Sequence, residues 1–341
     1  MTEARQRHST ASHHARWRSG RVRPWAAVAL LALSVVATLV ALVAYHDRPL
    51  SAPVPAEAAS WELPAATPPA ALSFSTLLTA QSRGSAEGVV VAGGRWWVHR
   101  RPVQFAVLVR HPQGNFLFDT GLGQQHATQF QANHWLHQQL FAYTMHQDVK
   151  TQLASHGMAN LPLRWIIPSH MHWDHIGGLP DFPDVPVWTV SAERQHASDG
   201  APPAFLHSQF ADVKQWVDLT FDGPPVLGFP NSHDVFGDGS VLLLPLQGHT
   251  AGQVGMLLTL PSGQRHLFTG DTTWTLEGIQ QPADRSWLLR QILRLDHDVP
   301  TNQAAIVHLH VLAQRFPALH MVPAHDENVL EALPRFPAFA N

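Results

Sequence analysis

Three histidines and one aspartate fall within six residues of this chain, at His170, His172, Asp174 and His175. They directly follow an apolar run at 165–167 that predicts a buried strand. At the extended end of a strand, side chains at positions i and i+2 face the same side, so His170 and His172 can bind one cation together. The chain then turns, and Asp174 and His175 can supply ligands to a second ion close by.

The ligand chemistry of this motif is imidazole and carboxylate, which suits zinc and also manganese, iron or cobalt. The chain contains no cysteine, so thiolate ligands and disulfides are excluded. An alternative interpretation is a histidine-rich loop, because 24 of the 341 residues are histidine. The metal interpretation is favoured because further histidines and aspartates occur in similar settings along the chain.

Histidine or aspartate also follows several other predicted strands. The predicted strands at 116–118, 242–246, 265–268 and 319–322 are followed by Asp119, His249, Asp271 and His325. Taken alone, Asp119 could equally be a turn-capping residue. Polar side chains at the tips of separate strands predict one shared site at one edge of the sheets.

The remaining folded part is expected to mix helices and strands. Residues 122–157 have a helical pattern with interspersed aromatic residues, typical of an amphipathic helix on the core or of a lid over the metal site. Helices are also predicted at 282–295 and 301–316. The Asp-Gly pair at 238–239, between apolar runs, predicts a hairpin.

The amino-terminal region has the pattern of a membrane signal anchor. Residues 1–24 form a basic tail with a single acid, and residues 25–45 carry no charge over a length that can span a bilayer as a helix. Trp25 and Tyr45 stand at its ends, where interfacial aromatic residues are favoured. The arginine excess predicts a single-pass protein of the cytoplasmic membrane, with a cytoplasmic tail and the rest on the periplasmic or extracellular side.

A cleaved signal peptide is the alternative, since Ala56-Glu57-Ala58 has the small-x-small form of a cleavage site. The long apolar stretch and the distance to that site favour an uncleaved anchor. Residues 46–71 are rich in proline and alanine and predict a semi-extended linker, which leaves 72–341 as the catalytic domain. The net charge of −3 counts against nucleic acid as a partner.

Together these motifs resemble the metallo-β-lactamase superfamily of metal-dependent hydrolases, and within it they are most similar to the acyl-homoserine lactonase-like branch. The similarity extends over about residues 73–335. The matching pieces are Phe118-Asp119-Thr120-Gly121, His170-x-His172-x-Asp174-His175, Gly248-His249-Thr250, Gly270-Asp271 and Ala324-His325-Asp326.

The resemblance implies an α/β fold, the four-layer αβ/βα sandwich, with two divalent metal ions at one edge. It also implies a role for each matching residue. The first ion would be held by His170, His172 and His249, the second by Asp174, His175 and His325, with Asp271 bridging the two and Asp119 orienting a histidine ligand.

The chemistry implied is hydrolysis, with zinc the first choice of metal and manganese, iron or cobalt as alternatives. Two cations about 3.5–4 Å apart lower the pKa of a bridging water, and the hydroxide attacks the substrate. Asp174 could then carry the proton to the leaving group. The related lactonases have a tyrosine three residues after the bridging aspartate, where this chain has Trp274. Tyr143 is the phenol available outside the apolar segment, so both residues are candidates for the substrate pocket.

The expected function is that of a membrane-tethered dinuclear hydrolase acting on a lactone or other small ester-type substrate. Alternatives are a thioester or phosphodiester hydrolase on the same metals, a mononuclear iron oxygenase of the same fold, and a non-catalytic binding protein. The expected partners are a small molecule and a membrane, without nucleic acid. The sequence makes no prediction of the oligomeric state.

Overall fold

The computed structural model describes residues 24–51 and 54–341. The basic tail predicted at 1–24 therefore lies almost wholly outside the described residues. By its contacts the chain divides into two compact units, one ending at Leu42 and the other running from Val43 to Asn341.

Short strands and helices alternate along the chain. The strands are β1 Ser73–Ser82, β2 Ser85–Ala86, β3 His99–Arg100, β4 Val103–Arg110, β5 Asn115–Phe118, β6 Tyr143–Met145, β7 Leu163–Ile167, β8 Val187–Thr189, β9 Trp216–Asp218, β10 His233–Asp234, β11 Val241–Pro245, β12 Val254–Thr259, β13 Arg265–Phe268 and β14 Leu319–Val322. The α-helices are α1 Pro24–His46, α2 Glu87–Val90, α3 His126–Phe130, α4 Trp135–Leu140, α5 Val149–Ser155, α6 Trp173–Ile176, α7 Ser191–Asp199, α8 Leu276–Gln280, α9 Trp287–Ile292, α10 Val299–Arg315 and α11 Glu327–Glu331.

Two main sheets are built from these strands. The first has seven strands in the order β6-β1-β4-β5-β7-β8-β9, antiparallel from β6 to β5 and parallel from β5 to β9. The second has five strands in the order β10-β11-β12-β13-β14, with only the β13–β14 pair parallel. The hairpin predicted around the Asp-Gly pair is confirmed, because β10 and β11 pair across it.

The two sheets enclose the main hydrophobic core. Phe74 and Phe116 of the first sheet pack in one cluster with Leu243 and Met256 of the second. The alternate residues of the same strands face away and meet helices, as the two-residue period of a strand requires. On the first sheet these partners come from α5 and α7, and on the second they come from α10. The mixed α/β fold predicted from the sequence is confirmed.

Residues 122–157 are not one helical segment. They form α3, α4 and α5, and between α4 and α5 the chain is extended as β6. Tyr143 to Met145 pair with the end of β1, at Ala80 to Ser82, and extend the first sheet by an edge strand. The free hydrogen-bonding edge of β1 overrides the local helical pattern here. Residues 282–295 were likewise predicted as a helix, but only Trp287–Ile292 is helical, starting after Ser286, which caps it.

Residues 46–71, predicted as a semi-extended linker, contact the domain over the part of the segment that the structure describes. Ala56–Ser60 forms a 3₁₀ helix, and the side chain of Trp61 is 9% exposed. The Trp61 indole stacks on His308 of α10 with ring centroids 4.8 Å apart, and Arg315 Nε donates to the Trp61 carbonyl. Burial of the Trp61 indole against α10 stabilises this contact. That gain outweighs the conformational entropy that a solvated tether would keep. The linker therefore packs on the domain.

Helix α1 is long and apolar enough to cross a membrane. Its span Trp25–His46 has a mean hydropathy of 2.7, and none of the window is buried against other parts of the protein. A signal sequence near an amino terminus has the same properties. The helix is therefore a candidate span.

Candidate metal centre

The residues predicted to bind metal do come together, at the edge where several strands end. His170 and His172 follow β7, and α6 then carries Asp174 and His175. Backbone hydrogen bonds hold this loop against its neighbours, from Val254 N to the Ser169 carbonyl and from Thr120 N to the His175 carbonyl. The sequence prediction of a shared edge follows from the common direction of the strands.

His170, His172 and His249 form the first group. Their ligand atoms all lie within 4.8 Å of one another, and Nε2 of His249 is 3.0 Å from Nδ1 of His172. His170 and His249 are buried, and His172 is partly exposed. Three imidazoles at this spacing could hold a divalent ion with positions left for water or substrate.

Asp174, His175 and His325 form the second group by the same criterion. Nε2 of His175 lies 3.4 Å from Nε2 of His325, which lies 3.6 Å from Oδ2 of Asp174. The Asp174 side chain is 15% exposed, so it can reach a molecule that enters the site.

Asp271 stands between the two groups. One of its oxygens, Oδ1, lies 3.3 Å from Nε2 of His175 and 3.0 Å from Nε2 of His325. The other, Oδ2, lies 3.1 Å from Nε2 of His325 and 3.5 Å from Nε2 of His249 in the first group. The Asp271 side chain is 5% exposed and can serve both groups at once.

The directions in which the pKa values of the buried residues are shifted fit a cation-binding site. Burial, reinforced by the neighbouring imidazoles, holds the pKa of His170 and His172 well below the usual range, so both are neutral and able to bind metal. Burial would also lower the pKa of His175, but Asp119 and Asp271 outweigh it and raise that pKa well above its usual value. Burial likewise opposes ionisation of Asp271, yet His325 and His175 hold its pKa well below the usual range.

Burial also opposes protonation of His325, but Asp271 outweighs it and raises the pKa of His325. The surroundings of Asp271 therefore favour positive charge, which a divalent ion would supply. Moreover, Nε2 of His170 is buried and has no hydrogen-bond partner among the described residues. A buried nitrogen without a partner is costly unless it binds a ligand. The donor set and its charge balance fit two divalent ions.

Asp119 lies behind His175. Its Oδ2 is 2.9 Å from Nδ1 of His175, which leaves Nε2 of that ring facing the site. Ser169 fixes the carboxylate through its backbone N–H and its hydroxyl. The backbone of Asp119 has φ of 60°, a left-handed conformation that residues other than glycine rarely adopt. Strain of this kind is typically retained at functional sites.

Asp296 and Arg285, which sequence reasoning missed, orient the imidazole of His249 in the same way. Oδ1 of Asp296 lies 2.8 Å from Nδ1 of His249 and accepts from Nη1 of Arg285 at 3.0 Å. Arg285 also donates to the backbone carbonyl of Asp271. Both side chains are 1% exposed. Neither follows a strand or belongs to a spaced motif, so the sequence carries no signal for them.

Glu193 of α7 was also missed, and it connects the loops that carry the first group. Its two carboxylate oxygens accept from the backbone N–H groups of Met171 and Gly252, at 2.7 and 2.8 Å. The residue is 1% exposed, and burial raises the pKa of its carboxyl. Glu193 therefore fixes the spacing between the His170 loop and the His249 loop.

The two predicted pocket residues differ in their placement. Trp274 reaches the centre, and its Nε1 donates to Oδ2 of Asp271 at 2.9 Å. Tyr143 instead has its hydroxyl 2.7 Å from Nδ1 of His126, and its ring packs near Trp173. Burial raises the pKa of Tyr143 to about 12. Its hydroxyl therefore stays protonated and is already engaged within the 122–157 segment.

The two packed sheets, with three histidines in the first group and Asp174, His175 and His325 in the second, define a metal-dependent hydrolase class. A family model described as "Metallo-beta-lactamase superfamily" matches residues 100–324, and the chain belongs to this superfamily of hydrolases.

Similar curated proteins are a probable metallo-hydrolase of Mycobacterium tuberculosis and an N-acyl homoserine lactonase, AttM, of Rhizobium johnstonii. The first is 29% identical over 66% of this chain and 75% of its own length. The second is 28% identical over 53% of this chain and 69% of its own length.

Solved structures show the same fold. One is an N-acyl homoserine lactone hydrolase with the product N-hexanoyl-L-homoserine bound at its catalytic metal centre. It superposes with a TM-score of 0.61 at 16% identity, over 80% of this chain and 100% of its own. Another is AidC, a dizinc quorum-quenching lactonase, with a TM-score of 0.54 at 14% identity, over 79% of this chain and 89% of its own.

Proposed function

We propose that this chain is a dinuclear metal-dependent hydrolase of lactones or related small esters, anchored in the membrane by residues 25–45. The observation that carries the proposal is Asp271, whose carboxylate lies within 3.5 Å of His249 in one group and of His175 and His325 in the other. The lactonases named among the relatives support an ester-type carbonyl as the reacting group.

In this proposal each group holds one ion. His170, His172 and His249 bind the first, Asp174, His175 and His325 bind the second, and Asp271 is shared between them. When bound, two divalent ions supply a water of lowered pKa and polarise the carbonyl oxygen of the substrate. Zinc suits the donor set best, with manganese, iron or cobalt as alternatives.

The chain's own residues orient the groups and handle protons. Asp119 and Asp296 each hold one ligand imidazole by Nδ1, so that Nε2 faces the site. Asp174 is the partly exposed carboxylate of the second group and is suited to pass a proton to the leaving alkoxide. Trp274 stands at the place where the lactonases have their tyrosine, and its N–H donates to Asp271.

Metal analysis of the full-length protein in detergent tests the proposal. We expect close to two equivalents of metal per chain, and loss of at least one in Asp271→Asn because the shared carboxylate becomes a neutral amide. Hydrolysis should stop on chelation and return when metal is restored. A folded wild-type protein that binds one equivalent and consumes oxygen would contradict the proposal and support an iron oxygenase.

A panel of lactones, linear esters, thioesters and phosphodiesters, tested on the metal-loaded protein, then identifies the substrate class. Lactones and linear esters should give the highest kcat/KM. A higher kcat/KM for thioesters or phosphodiesters would overturn the lactonase assignment while leaving the two-metal hydrolase intact.

A further inference from the structure

The last residue of α1 and the first residues after it are fixed to the surface of the domain. The Asp47 carboxylate accepts from the backbone N–H of Trp287 at 2.5 Å, and the residue is 7% exposed. The ring of His46 stacks on the Trp287 indole with centroids 5.2 Å apart, and Leu50 N donates to the Pro282 carbonyl at 2.7 Å. The surface around α9 therefore lies where the chain leaves the span.

The loop after α2 borders the same place. Ala92 N donates to the Asp284 carbonyl at 2.8 Å, just before α9. A Cβ added to Gly93 would lie 3.5 Å from the backbone oxygen of Asp47. The turn that follows, at Trp96 and Trp97, thus stays close to the end of the span.

This region exposes large apolar side chains beside arginines. Trp97 is 83% exposed, Ile292 is 57% exposed and Trp96 is 49% exposed. Exposed arginines lie next to them in the chain, at Arg95 and Arg294. We call this surface the interfacial patch, and it consists of Arg95, Trp96, Trp97, Trp287, Ile292 and Arg294.

The composition of the interfacial patch fits a lipid headgroup region. Tryptophan is enriched at the membrane interface, where an apolar ring with one polar N–H is favoured, and arginine interacts with anionic headgroups. Glu87 pairs with Arg95 at 2.8 Å and Asp284 with Arg290 at 3.4 Å. The positive charge that faces outward therefore comes mainly from Arg294 and from Arg48, which directly follows Asp47.

We propose that the interfacial patch rests on the bilayer that holds α1 and inserts Trp97 and Ile292 among the headgroups of anionic phospholipid. The inference rests on the membrane anchoring proposed above. The bilayer is the favoured occupant because chain connectivity brings the patch to the point where the span ends, whereas no such link exists to another protein.

The docking also places the metal centre beside the membrane. The segment that carries α9 begins at Arg285 and ends at Asp296, and both of these side chains contact His249 or Asp271. This segment thus meets the metal centre at Arg285 and Asp296, and its Trp287, two residues after Arg285, contacts His46 and Asp47. A substrate with an acyl chain dissolved in the bilayer would approach the site along this face.

Spin labels on single cysteines test the docking in the full-length chain, because the protein contains no cysteine of its own. The label is placed at Ile292→Cys, and Ser262→Cys is the matched control. Ser262 is exposed in the turn between β12 and β13, at the end of these strands away from the metal centre. Both proteins are reconstituted in nanodiscs of phosphatidylcholine with phosphatidylglycerol.

At position 292 we expect a severalfold higher ratio of oxygen to nickel-chelate accessibility than at 262, because oxygen concentrates in lipid and the chelate stays in water. Replacing phosphatidylglycerol by phosphatidylcholine, or adding Trp96→Ser and Trp97→Ser, should lower this ratio. The metal content of each variant should stay unchanged.

Three outcomes would overturn the docking. Equal ratios at 292 and 262, in protein that remains in the nanodisc, would overturn the docking and leave the anchor intact. Protein absent from the nanodisc fraction would overturn both. A label at 292 that is shielded from both reagents would indicate a protein partner, such as a second copy of the chain.

Discussion

Orientation of the histidines decides what this site can bind. Asp119 and Asp296 hold the Nδ1 atoms of His175 and His249, one in each group, although they come from unrelated parts of the chain. Asp119 could be predicted because it follows a strand within a recognisable motif. Asp296 could not, because only tertiary packing of the segment around α9 brings it to His249.

Replacing Asp296 by Asn tests this orienting role. The amide can still pair with Nδ1 of His249, but it loses the charge that raises the basicity of the ring and that balances Arg285. We expect metal affinity of the first group to fall by about 10–100-fold. Competition with a chromophoric chelator measures it.

The matched control is Asp298→Asn, since Asp298 caps α10 at the surface and pairs with Thr301. Its metal affinity should equal that of the wild type. Equal metal affinity of the Asp296→Asn and Asp298→Asn proteins would show that Asp296 has no orienting role.

Substitutions of Trp274 and Tyr143 are expected to affect hydrolysis differently. Trp274→Phe keeps an aromatic ring but removes the N–H that reaches Asp271. The loss of one hydrogen bond of about 1 kcal/mol should lower kcat/KM for the preferred ester several-fold. Tyr143→Phe should change it little, since the hydroxyl contacts His126 instead. Steady-state kinetics on both variants measures the difference.

A selective loss of lactone hydrolysis in Tyr143→Phe, with Trp274→Phe unaffected, would reverse this assignment. It would make the phenol the donor to the substrate carbonyl, as the resemblance to the lactonases suggests.

At the level of elements, the sequence predicts those whose pattern is local. The strands before the ligands are continuous apolar runs of the two sheets, and their positions follow from burial on both faces. The edge strand β6 could not be predicted, because its three residues are extended only through pairing with β1. The contact between the linker and the domain could not be predicted either, because a proline-rich composition does not show that one indole is buried.

Trp61→Ala tests how firmly the linker is bound. The change removes the indole stacked on His308 and opens a cavity against α10, so the free energy of unfolding should fall by about 3 kcal/mol. Chemical denaturation of the full-length protein in detergent measures it. Trp135→Ala is the control, since Trp135 is 65% exposed and its loss should change stability by less than about 0.5 kcal/mol. A linker that is merely solvated would give the two variants the same stability.

At the level of the whole molecule, the basic residues before α1 predict which side of the membrane holds the domain. A cysteine at Ser262 should react with a membrane-impermeant maleimide in right-side-out vesicles, because the domain would face outward. A cysteine at Ser9, in the basic tail, should react only after the vesicles are lysed. Gel-shift labelling measures both. The reverse pattern would place the catalytic domain in the cytoplasm.

The contact between the linker and the domain also affects when a signal peptidase could cleave the chain. The small-x-small sequence that a signal peptidase would recognise, Ala56-Glu57-Ala58, lies in the 3₁₀ helix, where Ala58 is 4% exposed. The neighbouring Ala56, Glu57 and Ala59 are exposed, but proteases act on flexible backbone, and the helical conformation with Ala58 buried disfavours cleavage here. In the anchored protein proposed above, cleavage and folding would therefore compete during export. On that proposal, a chain that folded first would keep its anchor and a chain that was cut first would be released, so the two rates would set the ratio of bound to free enzyme.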